Sequence, residues 1–157
     1  GPGVGGHCIP VDPWFLVGDY PRLTHLISTA LEINESMPEL VLERLVAIMR
    51  ENNITDKNKI GIYGMTYKQD VDDIRESPTV QLFEKMESSF AEPFRVFDPM
   101  IKEKIMDNQV MDFDKFLNDS EIIVLMVEHT HLKENLSMLQ NKLILDTHNL
   151  VENAYKL

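Results

Sequence analysis

Glu121-Ile-Ile-Val-Leu-Met-Val127 is the run that decides the fold class. An acid is followed by apolar residues alone, with no polar position to mark a wet face. That length suits a strand, and the absence of alternation means a strand covered on both faces. Outward from this run the same grammar repeats. On its C-terminal side, residues 130–140 read as a helix and Lys142–Asp146 (KLILD) as a last strand. On its N-terminal side, Asp112–Leu117 makes a helical turn or two, and Phe94–Phe97 a short strand closed by Asp98-Pro99. Ser77-Pro78 supplies a cap and a first-turn proline for a helix to about Ser88. Lys59–Tyr63 reads as a strand ending at Gly64. Strands alternating with helices predict an α/β domain, a Rossmann-like parallel sheet with helices on both faces. Ligands on such sheets sit beyond the carboxyl ends of the strands, where Gly64, Asp98, Glu128 and Asp146 lie.

The polar stretch Asn52–Lys59 is the expected boundary between two parts, residues 1–55 and residues 56–157. In the first part, residues 20–50 are helical by periodicity. Leu23, Leu26, Ile27, Ala30, Leu31, Leu40, Val41, Leu45 and Ile48 fall at three- and four-residue steps. Pro38 is expected to break or kink this long central helical segment, with Ser36 as a candidate cap for its second half. One wide apolar face suits either a core or a subunit interface, and periodicity alone favours the core.

The chain carries 26 acidic against 15 basic residues, a formal charge of −11. Such a surface repels nucleic acid and anionic membranes, so neither is expected as a partner. No apolar run approaches the roughly 20 residues of a membrane span, and no secretory signal is visible. A single cysteine makes no internal disulfide, which fits a reducing, cytoplasmic setting.

Two clusters carry chemistry. The first is Gly1-Pro-Gly-Val-Gly-Gly-His-Cys-Ile-Pro-Val-Asp-Pro13, a loop running into an extended or short helical stretch. Gly1, Gly3 and Gly6 match a dinucleotide-binding spacing, but that fingerprint needs a helix opening at its last glycine, and His-Cys-Ile-Pro supplies none. The glycines instead suit a close backbone approach to a ligand. Cys8 in this setting is a candidate nucleophile. Asp12 would raise the pKa of a nearby thiol, so its place is in handling water, with some cation to offset its charge. His7 reads as structural. The second cluster is Gly64-Met-Thr-Tyr-Lys-Gln-Asp-Val-Asp-Asp-Ile-Arg-Glu-Ser-Pro78. Tyr67-Lys68 after a strand-end glycine stands where a phosphate or sugar would meet the sheet, and Arg75 is near enough to share that site. Solvated ion pairs are the bland alternative. The histidines show no metal-binding spacing.

Together, in this order, the two clusters resemble the UDP-glucose/GDP-mannose dehydrogenase family. The first resembles its catalytic-cysteine loop, the second the opening of its C-terminal nucleotide-sugar-binding domain. Leu26–Pro38, with Ile33-Asn34 and Met37-Pro38, resembles the helix after the cysteine loop. The resemblance implies oxidation of a nucleotide-sugar alcohol to a carboxylate in two hydride transfers to NAD. Cys8 would form a thiohemiacetal and then a thioester, and Asp12 would assist its hydrolysis. Gly3, Val4 and Gly5 would line the substrate, Tyr67 and Lys68 would contact the nucleotide sugar, and Arg75 would reach NAD. The helix of residues 20–50 would be the dimerisation element, which reverses the preference for core. Residues 1–55 would then be the cysteine loop and central helices, and residues 56–157 the nucleotide-sugar-binding domain. The NAD-binding domain is expected to be missing from this chain, a piece of a longer protein that would be inactive alone. Val11-Asp12-Pro13-Trp14 resembles the branch acting on UDP-N-acetylhexosamines, UDP-N-acetylmannosamine above all. His148 stands where members often carry a substrate-binding arginine in Asp-x-Arg. Two alternatives stay open: a non-catalytic nucleotide-sugar-binding or dimerisation module, and a UDP-glucose-specific member.

Overall fold

The computed structural model describes residues 1–87 and 94–157, the Glu87 side chain excepted. Four strands run parallel at the centre: β1 (Ile60–Tyr63), β2 (Arg95–Phe97), β3 (Ile122–Leu125) and β4 (Leu143–Asp146). A two-residue β5 (Tyr155–Lys156) extends the sheet, so the order is β2-β1-β3-β4-β5. Lys142–Asp146 is therefore not the last strand. A two-residue strand is too short for a periodicity to announce it.

Residues of the central run alternate between two cores. Ile122, Val124 and Met126 join Ile60 and Ile62 on one face. Ile123 and Leu125 join Tyr63, Phe97 and Ile144 on the other. This explains a continuous apolar strand sequence, since both pleat directions point into protein. The first face is covered by α2 (His25–Glu51), through Val41, Leu45 and Ile48, and by α3 (Pro78–Glu87), through Leu82, Phe83 and Met86. The second face is covered by α4 (Phe113–Asp119) and α5 (Thr130–Glu134), through Phe116, Leu117 and Leu132. The C-terminal half of α2 is thus built into the core of the sheet domain.

Local sequence explains where α3 and α4 begin. Ser77 caps α3, its hydroxyl accepting from the Thr79 N–H at 3.2 Å. The expected end of α3 at Ser88 lies outside the described residues. Asp112 caps α4 by accepting from the Lys115 N–H at 2.7 Å. The stretch 130–140 is two pieces, α5 and a 3₁₀ turn at Leu136–Leu139. Asn135 sits at the junction and donates its amide to the His131 carbonyl at 2.7 Å, a side-chain bond that competes with the helix ladder. α1 (Asp12–Asp19) is helical, with Pro13 in its first turn. Pro38 does not break α2, which runs through it. Ser36 caps nothing, and its hydroxyl donates back to the Ile33 carbonyl at 2.8 Å. The proline removes one N–H, and buried Leu31 and Val41 hold the turns on either side.

Gly61 in β1 faces α4, where an added Cβ would stand 2.4 Å from Ser120 Oγ and 2.7 Å from Phe116 Cε2. Gly61→Ala is therefore expected to cost about 1–3 kcal/mol by overpacking, read as a lower urea midpoint at unchanged slope.

Candidate active site

The chain order reverses between β1 and β3. From β1 the sheet grows to β2 on one side and to β3 on the other. A cavity of about 260 Å³ lies beyond these strand ends, at the position where open α/β sheets bind ligands. Thr66, Tyr67, Lys68 and Gln69 line it after β1, and Met126, Val127 and Glu128 after β3. His148 follows β4, Pro78 and Thr79 open α3, and Pro2 and Gly3 close the rim. A second cleft of about 690 Å³ lies across Thr55, Lys57, Arg95 and Lys115, at the strands' amino ends and away from this chemistry.

A buried carboxylate shapes the loop that carries Tyr67 and Lys68. Asp98, at the end of β2, accepts from the backbone N–H groups of Met65, Thr66 (3.0 Å) and Met100 (2.8 Å). Its Oδ2 also lies 3.3 Å from His129 Nε2. Burial alone would raise the Asp98 pKa, but the His129 hydrogen bond and the backbone donors outweigh it and hold the carboxyl below its ordinary value. His129, fully buried past β3, accepts the Asp70 N–H on Nδ1 at 3.0 Å. Its hydrogen therefore sits on Nε2, facing Asp98 and the Thr66 hydroxyl. Asp70 in turn accepts from the Thr130 hydroxyl and N–H, which hold its pKa at about 2. Its φ of 56° is the left-handed turn that folds the loop around the imidazole. Beside this network the buried Tyr63 hydroxyl pairs with His131 Nδ1 at 3.1 Å, and burial raises the Tyr63 pKa, with Asp98 and Asp70 adding to it.

β4 ends on a similar device. Asp146 accepts from the N–H groups of His148 (2.9 Å) and Val151 (2.7 Å) and from Lys156 Nζ (3.0 Å). His148 Nε2 lies 3.0 Å from the Met126 carbonyl, so this nitrogen carries a hydrogen and the imidazole is anchored across β3.

The glycine loop docks on the same wall, and the close approaches of Gly5 and Gly6 are to protein. A Cβ on Gly5 would stand 2.4 Å from the Glu76 carbonyl oxygen and 2.7 Å from Tyr67 Cβ. Gly6, at φ 98°, donates its N–H to the Arg75 carbonyl at 2.9 Å. These glycines are there for loop-on-loop packing, whereas the sequence suggested approach to a ligand.

Gly3, Tyr67, Lys68 and His148 thus come together around one cavity, while Val4 and Gly5 lie behind the rim. Cys8 and Asp12 are exposed and outside the lining, with the Asp12 N–H donating to the Cys8 carbonyl at 2.8 Å. Arg75 lies on the outer side of the loop and pairs with Asp73 through Nε at 3.0 Å. Hydrogen bonds from Arg75 hold Asp73 at about 2, and the Asp73 carboxylate raises the Arg75 pKa, with Tyr67 and Cys8 near enough to contribute. Sequence reasoning passed over Asp98 and His129 as functional residues. Asp98-Pro99 at a strand end was a legible signal, but His129, tested there only for metal spacing, had none. Among the described residues no cluster of His, Cys, Asp and Glu is placed to hold a metal.

Asp98 yields a prediction with a defined sign. Its folded pKa lies below the unfolded value, so its contribution is complete above about pH 4 and is lost as pH falls through the folded value. Asp98→Asn is expected to cost about 2 kcal/mol near neutrality and to flatten the acid limb of a urea-stability profile below about pH 4.

Comparison with known proteins agrees with this geometry. Residues 61–153 match the model of the UDP-glucose/GDP-mannose dehydrogenase family, UDP binding domain. UDP-N-acetyl-D-mannosamine dehydrogenase of Methanocaldococcus jannaschii is 37% identical over 96% of this chain and 35% of its own length. NDP-N-acetyl-D-galactosaminuronic acid dehydrogenase of Ralstonia nicotianae is 34% identical over 94% of this chain and 35% of its own. The solved UDP-D-ManNAc dehydrogenase of Pyrococcus horikoshii superposes with a TM-score of 0.79 at 30% identity, covering 98% of this chain and 37% of that one. The chain therefore spans about a third of the length of these relatives, and it belongs to the UDP-glucose/GDP-mannose dehydrogenase family.

Proposed function

We propose that the intact protein containing this chain is an NAD-dependent UDP-sugar 6-dehydrogenase, with UDP-N-acetylmannosamine as its substrate. The observation that carries the proposal is the cavity at the β1/β3 reversal, walled by Tyr67, Lys68 and His148 with Gly3 on its rim. It lies within the stretch that matches a UDP-binding domain, apart from the Pro2 and Gly3 rim. Two of the relatives reported above, those of Methanocaldococcus jannaschii and Pyrococcus horikoshii, act on UDP-N-acetylmannosamine by their names, which supports the sugar.

In this scheme Lys68 meets the diphosphate as a point charge, and Tyr67 packs beside it. Gly3 on the rim borders the sugar, with Val4 and Gly5 behind it holding the loop in place, and His148 takes the place of the arginine in Asp-x-Arg. The sugar's primary alcohol first loses a hydride and its hydroxyl proton to give an aldehyde, and the Cys8 thiolate then adds to the aldehyde carbon, the carbonyl oxygen taking up a proton, to form a thiohemiacetal. Loss of hydride leaves a thioester, and water, deprotonated with help from Asp12, displaces the thiol and leaves the carboxylate. NAD, when bound, accepts the two hydrides. Arg75 suits one anionic group of that cofactor, since it is exposed and its Nη1 has no partner among the described residues. The rest of the NAD site is proposed to belong to the part of the intact protein outside this chain, as the family resemblance implies.

A homodimer through residues 20–50 fits the same scheme. Leu23 and Leu26 are each 84% exposed, and Phe15, Leu16 and Ile33 also face solvent. An apolar face of this extent marks an interaction surface. No helix among the described residues is long and apolar enough to cross a membrane. The reaction is placed in the cytoplasm, where a free Cys8 stays reduced.

Three outcomes test the scheme. Cys8→Ala in the intact protein abolishes uronate formation, and retained turnover rules out the covalent route. Lys68→Met weakens UDP binding by about tenfold or more in a calorimetric titration, the loss of one charge-assisted contact. The 157-residue chain alone turns over no UDP-N-acetylmannosamine with NAD, and measurable turnover overturns the placement of the NAD site.

A further inference from the structure

Ile33-Asn34 and Met37-Pro38 take part in the family resemblance, yet neither pair reaches the cavity. Their geometry points instead at the cysteine loop. Val4 donates its N–H to Asn34 Oδ1 at 2.7 Å, and Asn34 Nδ2 donates to the Val4 carbonyl at 3.0 Å. The side-chain amide thus grips both polar groups of one backbone residue. Pro38 has no N–H, so the Asn34 carbonyl four residues earlier has no donor in the helix ladder. That oxygen faces Gly3, where an added Cβ would stand 3.3 Å away. The next residue of α2, Glu35, accepts the Trp14 indole N–H on Oε1 at 3.0 Å. Trp14 belongs to α1, the helix that follows the cysteine.

Cys8 therefore stands at the apex of a loop whose two feet, Val4 and Trp14, are held by consecutive residues of one helix turn. Between them the loop is pinned again by the Gly6 N–H on the Arg75 carbonyl. We propose that Asn34 and Glu35 are positioning residues that fix where Cys8 stands relative to the cavity. The proposal rests on Cys8 being the nucleophile. Neither residue touches substrate; each acts through the loop. An asparagine suits the first foot because its amide carries a donor and an acceptor on separate atoms, so that it bonds the Val4 N–H and carbonyl at once. The second foot needs only an acceptor.

The test uses the intact protein that contains this chain, with hydrogen exchange at the Gly6 amide and steady-state kinetics as joint readouts. Asn34→Ala is expected to raise Gly6 exchange and to lower kcat by about 10- to 100-fold, with the KM for NAD within about twofold, as misplacement of a reacting group does. Asn34→Asp keeps the acceptor for the Val4 N–H and loses the donor, so it gives an intermediate loss and serves as the test if the alanine variant does not fold. Glu35→Ala lowers kcat, and Glu35→Gln, whose amide oxygen still accepts from the indole, recovers most of that loss. Wild-type Gly6 exchange or wild-type kcat in a folded Asn34 variant overturns the assignment of Asn34. A Glu35→Gln variant as impaired as Glu35→Ala overturns that of Glu35. Cys8→Ala separates the two levels. If it stays active, the nucleophile and the positioning role fall together; if it is dead while Asn34→Ala keeps wild-type kcat, only the positioning role falls.

Discussion

The buried Asp98 carboxylate is the interaction on which the rest of the site depends. A carboxylate taken out of water costs several kcal/mol unless donors surround it. Asp98 meets that cost with three backbone N–H groups and one imidazole. The donors come from the loop after β1 (Met65, Thr66), the loop after β2 (Met100) and the segment after β3 (His129). One charge thus ties together the ends of three neighbouring strands. Neutralising it would leave polar groups from all three short of a partner. Asp146 does the same for the loop after β4, which carries His148. The cavity between them inherits its shape from these two carboxylates, because neither Lys68 nor His148 sits on a regular element.

A second constraint is steric. The cysteine loop reaches the cavity rim only because Gly5 lets the chain pass against the Glu76 carbonyl and Tyr67 Cβ. Gly6 then turns at positive φ to offer its N–H to Arg75. The two clusters that stand out in the sequence are therefore one object in space, with the second serving as the bed for the first. α2 joins them from behind. Its C-terminal half lies in the core of the sheet, and its middle turn holds the loop. A displacement of α2 along the sheet would carry Val4 and Trp14 with it.

How much of this was legible follows from which forces act locally. β3 could be read because burial on both faces leaves a compositional mark, and α3 because Ser77-Pro78 is a local cap. Tyr67 and Lys68 could be placed because a strand-end glycine fixes where the next residues lie. Asn34 could not, because its partner is 30 residues away and an asparagine mid-helix carries no sign of what it binds. His129 was equally silent, since its partners Asp98 and Asp70 are brought to it by the sheet order. Pro38 misled in the other direction. Its local penalty is real, but packing of the flanking turns exceeds it, and the carbonyl it leaves free faces the loop.

The net charge of −11 bears on the proposed site, where a diphosphate would have to approach an acidic chain. Net charge acts over distances that salt screens beyond about 8–10 Å, so the local arrangement decides. Several carboxylates of this loop and of the cavity wall are committed. Asp70 is spent on Thr130, Asp73 on Arg75, and Asp98 on the backbone. Glu128, on the cavity wall itself, is paired with Lys133 at 3.0 Å. The acidic run after Lys68 has a solvated, ion-paired loop as its bland reading in the sequence. In the fold Asp70 and Asp73 of that run are latches, each satisfied by donors that hold the loop closed. Lys68 is left as the exposed cation on the cavity wall, with no acid within pairing distance among the described residues. An overall acidic surface is compatible with the proposed anion site because the carboxylates that shape the cavity are bound to the protein's own donors.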